Sequence, residues 1–285
     1  MHSTLIRVDQ LQALQQQGAR LRVFDCSFDL MQPDSGRAQY QQAHIAGALH
    51  ADLDRHLSTH TPGRSVNGGR HPLPLREDFA QWLGSCGVDA DTQVVVYDRQ
   101  GLNYCGRLWW MLQWCGHAAA AVLDGGWQAW QAAGGAVATG DTPMPAPTLF
   151  ELREPRVVLR HTHEVQAALG SDQQTLIDAR GAPRYRGEVE PLDPVAGHIP
   201  GALNRPFNSN LDERGFFKTP QVLRAEFAAL LGSRDPATVV HHCGSGVSAV
   251  PNVLAMEVAG LGRTALYAGS WSEWCLTPGL PVAKG

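Results

Sequence analysis

Cys243 follows Val239-Val240-His241-His242 and opens the short turn Gly244-Ser245-Gly246-Val247-Ser248-Ala249. A helix-like run over 250–261 comes next. The pattern is strand, loop and helix, with a thiol at the strand's carboxyl end, where open α/β sheets place their ligands. The backbone N–H groups of such a loop can converge on an anion, and the positive end of the following helix reinforces them. The expectation is a cysteine of lowered pKa, ionised near neutral pH. The competing reading is a buried, inert thiol in a βα turn.

Three chemistries put a cysteine in such a cradle. A tyrosine-phosphatase-type site needs His-Cys-x5-Arg. His242 and Cys243 match its start, but the arginine that would clamp phosphoryl oxygens in a fork is replaced by Ala249. A dithiol redox site needs a second cysteine close by, and Gly246 stands where Cys-x-x-Cys would require it. A sulfur-carrying site needs only the thiolate, space for a second sulfur, and donors for the persulfide anion. Gly244, Ser245, Gly246 and Ser248 supply space and donors, so elimination favours sulfur transfer. A non-enzymatic persulfide relay or sensor module is the main alternative, and a cysteine-dependent phosphatase a weaker one.

The elements that must hold this loop occur twice. In the first half, helical patterning over 8–17 is broken by Gly18, and a strand follows over 21–26. A polar, irregular stretch leads to His44-Ile45-Ala46-Gly47-Ala48-Leu49. Residues 57–74, rich in Gly, Pro, Ser, Thr and His, read as a long surface loop. Then come a helix over 76–84, a strand over 93–98, a helix over 106–115, a strand over 120–123 and the turn Gly125-Gly126-Trp127. The second half has a helix over 162–169 and a strand over 175–180. His198-Ile199-Pro200-Gly201-Ala202-Leu203 then echoes the stretch from His44, the strand over 238–243 echoes 93–98, and Gly269-Ser270-Trp271 echoes Gly125-Gly126-Trp127. His198 lies 154 residues after His44, Cys243 lies 145 after Asp98, and Trp271 lies 144 after Trp127. A nearly constant offset over landmarks in one order implies a duplicated domain. The expected units are 1–138 and 156–285, with 139–155, which contains Thr142-Pro143-Met144-Pro145-Ala146-Pro147, as linker. Alternating strands and helices make each a mainly parallel α/β layer structure. Where the second half carries Cys243, the first carries Asp98, which cannot be a soft nucleophile. Chemistry is therefore expected in the second domain, with the first an inactive structural copy.

Composition sets outer limits. The 285 residues are 44% hydrophobic and 18% charged, as in ordinary globular proteins. A formal net charge of −4 and the absence of a Lys/Arg cluster give no case for nucleic acid. No apolar run approaches membrane-spanning length, and the amino terminus lacks a signal-peptide pattern, so a cytoplasmic location is expected. None of the six cysteines forms a Cys-x-x-Cys pair or lies near histidines at zinc-finger spacing. No metal or cofactor is expected.

The string Cys243-Gly244-Ser245-Gly246-Val247-Ser248-Ala249 resembles the active-site loop of two-domain rhodanese-like sulfurtransferases, in the Cys-Gly-Ser-Gly-Val-Thr-Ala form of 3-mercaptopyruvate sulfurtransferases. The resemblance extends to Asp178-Ala179-Arg180, Arg184-Tyr185, Gly197-His198-Ile199-Pro200-Gly201-Ala202, Trp109-Trp110-Met111 and Gly269-Ser270-Trp271-Ser272-Glu273-Trp274. It implies tandem rhodanese-like domains. It also implies that Cys243 takes sulfur as a persulfide, that Arg184 holds the donor's carboxylate, and that Ser245 assists proton transfer to the departing pyruvate enolate. Asp54 and His71 occupy the places of an Asp and a His linked to that serine. Gly244, Gly246, Val247 and Ser248 complete the donor-binding loop. The implied partners are a small donor, mercaptopyruvate or thiosulfate, and an acceptor such as cyanide, a thiol or a reduced thioredoxin-like protein.

The match breaks at one place. Mercaptopyruvate enzymes carry a second arginine after a Glu-Pro pair, nine residues beyond the first, but here Glu190-Pro191 is followed by Leu192-Asp193. Arg180 and Arg186 are the nearby candidates to replace it. Thiosulfate-preferring rhodaneses more often place basic residues in the cysteine loop, and this loop has none.

Overall fold

The β-branched and apolar runs form the centres of two parallel sheets. A computed structural model describes residues 1–285, which divide into two units. The first unit comprises Met1–Thr59, Pro74–Arg156 and Glu213–Phe216; the second comprises His60–Leu73, Val157–Asp212 and Phe217–Gly285.

In the first unit the elements are β1 (Leu5–Ile6), α1 (Val8–Gln16), β2 (Leu21–Asp25), α2 (Pro33–Gln42), β3 (His44–Ile45), β4 (Leu49–His50), α3 (Arg76–Ser85), β5 (Gln93–Tyr97), α4 (Cys105–Trp114), β6 (Ala120–Leu123), α5 (Gly126–Ala132) and β7 (Val137–Ala138). Its main sheet runs β1-β6-β5-β2-β4, all parallel, while β3 and β7 form a separate antiparallel pair. All five residues of β5 are buried, as expected of a central strand covered on both faces. All ten residues of α4 are buried as well, which its Leu-Trp-Trp-Met-Leu sequence permits.

In the second unit the elements are β8 (Val158–Arg160), α6 (Thr162–Ala167), β9 (Thr175–Asp178), α7 (Ala182–Tyr185), β10 (Leu203–Asn204), α8 (Pro220–Leu231), β11 (Val239–His242), α9 (Val250–Val258), β12 (Ala265–Tyr267) and α10 (Ser270–Trp274). Its sheet runs β10-β9-β11-β12-β8, again all parallel. Reading β4-β2-β5-β6-β1 against this order matches the two sheets strand for strand, so the duplication extends to topology.

Several elements differ from the sequence reading. α2 lies in the stretch read as irregular. Pro33 starts it with a preset φ, and Gly36 lets its backbone lie against the Ser27 carbonyl, where a Cβ would clash. α8 has a clear start, with Thr219 Oγ1 accepting from the Val222 N–H and Pro220 in the first turn, and it buries Leu223, Phe227 and Leu231. Residues 57–74 are not a free surface loop. His60–Leu73 belongs to the second unit, and His71 and Leu73 are buried there. The stretch 139–155 carries no helix or strand and lies within the first unit, where Thr148 donates from Oγ1 to the Val88 carbonyl at 2.7 Å.

One glycine of the Cys243 loop is fixed by geometry. Gly246 has φ +73, and a Cβ there would run into the Ala268 carbonyl oxygen. Gly246→Ala should therefore destabilise the chain by roughly 2–4 kcal/mol through backbone strain and clash, read as a lower urea midpoint. A midpoint within experimental error of wild type would show that the loop relaxes freely.

Candidate active site

The loop begins where β11 ends. The His242 carbonyl accepts from the Ala179 N–H at 2.8 Å, which ties the strand end to its neighbour β9. Cys243 then leaves the sheet, and the turn between β12 and α10 braces it. Its N–H donates to Ser270 Oγ at 3.1 Å, and its carbonyl accepts from the Trp271 N–H at 3.0 Å. The Gly244 carbonyl accepts from the Ser272 N–H at 2.8 Å. Ser270 adopts φ +54, a left-handed conformation costly for a non-glycine residue. Its hydroxyl offsets this by also donating to the Tyr267 carbonyl at 2.9 Å. Cys243 is 2% exposed, and Gly244, Ser245, Gly246 and Val247 are buried beside it.

The first unit shows what the same loop does with an anion. Asp98 Oδ1 accepts from the N–H groups of Gln100 and Leu102, both at 2.9 Å. Its Oδ2 accepts from Tyr104 at 2.8 Å and Cys105 at 2.9 Å. One carboxylate thus takes four backbone N–H groups at the start of α4. Burial raises its pKa, and these four bonds act in the opposite direction. The loop does not disfavour a carboxylate but encloses one. Along the duplication, the four donors correspond to the N–H groups of Ser245, Val247, Ala249 and Val250.

The side chains around Cys243 in the second unit come from three stretches. The first is 68–71, which docks against α10. The Gly68 N–H donates to Glu273 Oε1 at 3.1 Å, and the Arg70 N–H donates to Ser272 Oγ at 3.0 Å. At Gly69, with φ +87, a Cβ would stand 2.7 Å from Ser272 Oγ, so this approach requires glycine. The docking delivers His71, whose Nδ1 lies 2.7 Å from Ser245 Oγ. His71 is 4% exposed and Ser245 7%, so the pair is shielded from water. A solvated loop histidine, the ordinary expectation for such a position, is not what forms.

The second and third stretches build a ladder of alternating charge. Asp178, at the end of β9, pairs with Arg180 at 2.7 Å. Burial acts to raise the Asp178 pKa, but His242 and Arg180 outweigh it and the net shift is downward. Arg180 lies over the Trp271 ring, 4.8 Å from its centroid, and also reaches Glu190 at 3.3 Å. Glu190 holds Arg184 at 2.7 Å, and Arg184 reaches Asp193 at 3.3 Å. Asp193 in turn pairs with Arg70 at 2.7 Å. Arg180 and Arg186 are both paired with carboxylates. Arg180 is buried, its guanidinium engaged by Asp178, Glu190 and the Gly197 carbonyl, and Arg186 pairs with Glu188 on the surface. Arg70 was not singled out from the sequence, although it directly precedes His71 in Gly68-Gly69-Arg70-His71.

Asp54 lies in the first unit, is exposed, and donates its N–H to Asp52 Oδ1 at 2.9 Å. The geometry above therefore brings Cys243, Ser245, His71, Arg184 and Arg70 together within the second unit. A cavity of about 820 Å³, lined by Asp172, Thr175, Arg234 and Asp235, lies at the opposite, amino-terminal end of β9. All six cysteines are unpaired. Burial pushes the thiols of Cys26, Cys105 and Cys275 up, and those of Cys86 and Cys115 up to about 11, so none of the five is a ready nucleophile.

The rhodanese-like domain model matches residues 7–133 and again 161–277. The chain belongs to the rhodanese-like family. It is 45% identical over 282 residues to a Pseudomonas aeruginosa protein named probable 3-mercaptopyruvate sulfurtransferase, covering 97% of this chain and 98% of that protein. It is 37% identical over 265 residues to the thiosulfate sulfurtransferase of Cricetulus griseus, covering 90% of this chain and 86% of the relative. The crystal structure of SseA from Escherichia coli, titled as a 3-mercaptopyruvate sulfotransferase with the rhodanese fold, superposes with a TM-score of 0.80 at 30% identity, covering 95% of this chain and all of that one. This rhodanese-like protein is an enzyme of sulfur transfer, moving sulfur from a donor to a thiophilic acceptor. No helix is long and apolar enough to cross a membrane.

The strand that carries the cysteine also carries a pH liability. Burial lowers the His241 pKa to about 3, with His242 and Arg205 adding to the effect. The ring is neutral when folded and takes up a proton on unfolding. Its stabilising contribution is complete above the unfolded value of 6.5 and is lost as pH falls toward about 3. For one such group the slope approaches ~1.4 kcal/mol per pH unit. Urea midpoints should fall between pH 6.5 and 4.5, and His241→Leu should flatten that fall by about one proton's worth. An unchanged slope in the variant would remove His241 as its source.

Proposed function

We propose that Cys243 is the sulfur-carrying nucleophile and that 3-mercaptopyruvate is its donor. The observation that carries this reading is the buried pair of His71 Nδ1 and Ser245 Oγ, 2.7 Å apart and two residues along the loop from the cysteine. Sulfite leaves thiosulfate as a stable anion and needs no proton. Pyruvate leaves mercaptopyruvate as an enolate, and a hydroxyl–imidazole pair in a dry site is the means to protonate it. Only one of the two donors gives this pair a task.

The reaction balances without a cofactor. The ionised Cys243 Sγ attacks the donor's thiol sulfur. An S–S bond forms, the donor's C–S bond breaks, and its electron pair moves into the enolate. The donor's S–H proton passes through the Ser245 and His71 pair to the methylene carbon, giving pyruvate and a Cys243 persulfide anion. An acceptor thiolate or cyanide then attacks the outer sulfur, and Cys243 leaves as thiolate. This is covalent catalysis in two half-reactions. The N–H groups of Ser245, Val247 and Ala249 stabilise the persulfide as their counterparts hold Asp98, while that of Val250 is donated to the Val247 carbonyl at 3.0 Å. Groups of this kind are worth about 3 kcal/mol each where they have been removed from other enzymes. Arg184 holds the donor's carboxylate, while Gly244, Gly246 and Ser248 leave room for the second sulfur.

The first unit, with its loop closed around Asp98, carries no nucleophile in this reading, and Asp54 is its one candidate, on family resemblance. The acceptor is a small thiol, cyanide or a reduced protein cysteine of thioredoxin-like chemistry. The six unpaired cysteines fit a reducing, cytoplasmic setting.

Cys243→Ser should reduce turnover to background. Ser245→Ala should lower kcat/KM for mercaptopyruvate by roughly 10²-fold, the usual scale of general acid–base assistance, while changing that for thiosulfate only a few-fold. Steady-state kinetics with both donors checks this, and equal losses for the two donors would refute the proton-relay role.

A further inference from the structure

The turn and helix that brace Cys243 are built twice, and the two copies differ at the positions nearest the chemistry. The first unit carries Gly126-Trp127-Gln128-Ala129-Trp130, the second Ser270-Trp271-Ser272-Glu273-Trp274. The tryptophans repeat, and so does one of their bonds. The Trp127 N–H donates to the Asp98 carbonyl at 3.1 Å, as that of Trp271 does to the Cys243 carbonyl at 3.0 Å. The other three positions do not repeat. Gly126 holds φ +56 and Ser270 φ +54, but only the second copy adds a hydroxyl, which accepts from the Cys243 N–H. Gln128 donates its side-chain amide to the Arg99 carbonyl, beside Asp98, and Ala129 has no polar group. At the matching places Ser272 and Glu273 accept two backbone N–H groups from a different stretch of chain, those of Arg70 at 3.0 Å and Gly68 at 3.1 Å. Ser272 is 2% exposed, and its hydroxyl also donates to the Gly269 carbonyl at 3.3 Å. The Glu273 carboxylate fits because Gly269 has no side chain, since a Cβ there would collide with Glu273 Oε2.

We propose that Ser272 and Glu273 are positioning residues for the proton relay, and that this one turn of α10 fixes His71 relative to the nucleophile. Their role deepens the mercaptopyruvate reading above and rests on the relay of His71 and Ser245 described there. Successive residues of α10 hold the two parts of the site. Ser270 and Trp271 bond the backbone of Cys243, and the Ser272 N–H bonds the Gly244 carbonyl at 2.8 Å. The side chains of Ser272 and Glu273 then bond the backbone of Arg70 and Gly68. Two of the three bonds on the cysteine side come from main-chain N–H groups, which almost any residue supplies. Both bonds to the histidine segment come from side chains, which only suitable residues supply. The segment lies close against them, since a Cβ on Gly68 would stand 3.2 Å from Glu273 Cγ. The residue after Arg70 is His71, set 2.7 Å from Ser245 Oγ. A misplacement of about 1 Å can cost a reaction ~10²-fold, so a proton relay gains from a rigid seat. The Arg70 guanidinium also anchors the segment, through Asp193, so losing the two α10 bonds loosens the segment and does not release it. Thiosulfate, whose sulfite leaves without a proton, makes no demand on this seat.

The test uses the full-length chain and combines steady-state kinetics on both donors with amide hydrogen exchange. Ser272→Ala/Glu273→Ala should lower kcat for mercaptopyruvate roughly tenfold and leave kcat/KM for thiosulfate within about threefold. Exchange in the peptide covering 66–71 should quicken by about tenfold or more, with that of 239–243 unchanged. Glu273→Gln keeps an acceptor oxygen for the Gly68 N–H and should restore most of what Glu273→Ala loses. In a His71→Ala background the double substitution should add less than about threefold, because both changes then act on one missing group. Unchanged exchange over 66–71, or unchanged mercaptopyruvate turnover despite faster exchange, would overturn the assignment. So would equal losses with the two donors, or a further loss of about tenfold in the His71→Ala background. His71→Ala with undiminished mercaptopyruvate turnover would sink the relay reading itself, while faster exchange over 66–71 would leave the seating by Ser272 and Glu273 standing.

Discussion

In each unit a central strand leads into a βα loop, opened by Asp98 in the first and by Cys243 in the second, and the first loop turns backbone N–H groups inward. In the first unit those groups close on the Asp98 carboxylate with four bonds of 2.8–2.9 Å. Buried amide donors without an acceptor are costly, so a negative charge at this position stabilises the loop. In the second unit the thiol of Cys243 stands where Asp98 stands in the first, and the proposed function places the outer sulfur of a persulfide there. Ser270, which braces the cradle, holds φ +54, a conformation costly for a non-glycine residue, while Gly246 takes φ +73 as glycine readily does.

The cations of the site are held away from the cradle by carboxylates. Asp178, Glu190 and Asp193 alternate with Arg180, Arg184 and Arg70, and all three carboxylates are nearly inaccessible to solvent. Such a network adds little net stability over a well-packed apolar equivalent, but removing one member leaves a buried charge unpaired. Its value here is orientation. The loop itself contains no basic side chain, and guanidinium nitrogens of Arg70 and Arg184 stand within 4 Å of where a Cβ on Gly244 would lie.

Much of this was legible in the sequence. The strand-loop-helix pattern around Cys243, the constant offset between halves, and the Asp98 substitution all rest on local patterning and spacing, and the parallel sheets follow from them. What escaped the reading depended on where the chain goes next. The Gly- and Pro-rich composition of 57–74 resembles that of a solvated loop, because its backbone is satisfied by Glu273 and Ser272, some two hundred residues later. Arg70 was hidden for the same reason. α8 was passed over although Thr219-Pro220 marks its start and Gly232 its end. α2, polar and interrupted by Gly36, has Pro33 as its local mark and lies against the Ser27 backbone, a contact that no local pattern encodes.

The most direct measurement is the mass of the intact chain after treatment with mercaptopyruvate in the absence of acceptor, followed by peptide mapping of all six cysteines. A sulfur-carrying Cys243 predicts a gain of one sulfur atom, located on the peptide containing Cys243 and discharged by cyanide. Turnover with Cys243 unmodified, or with the added sulfur on another cysteine, would contradict it.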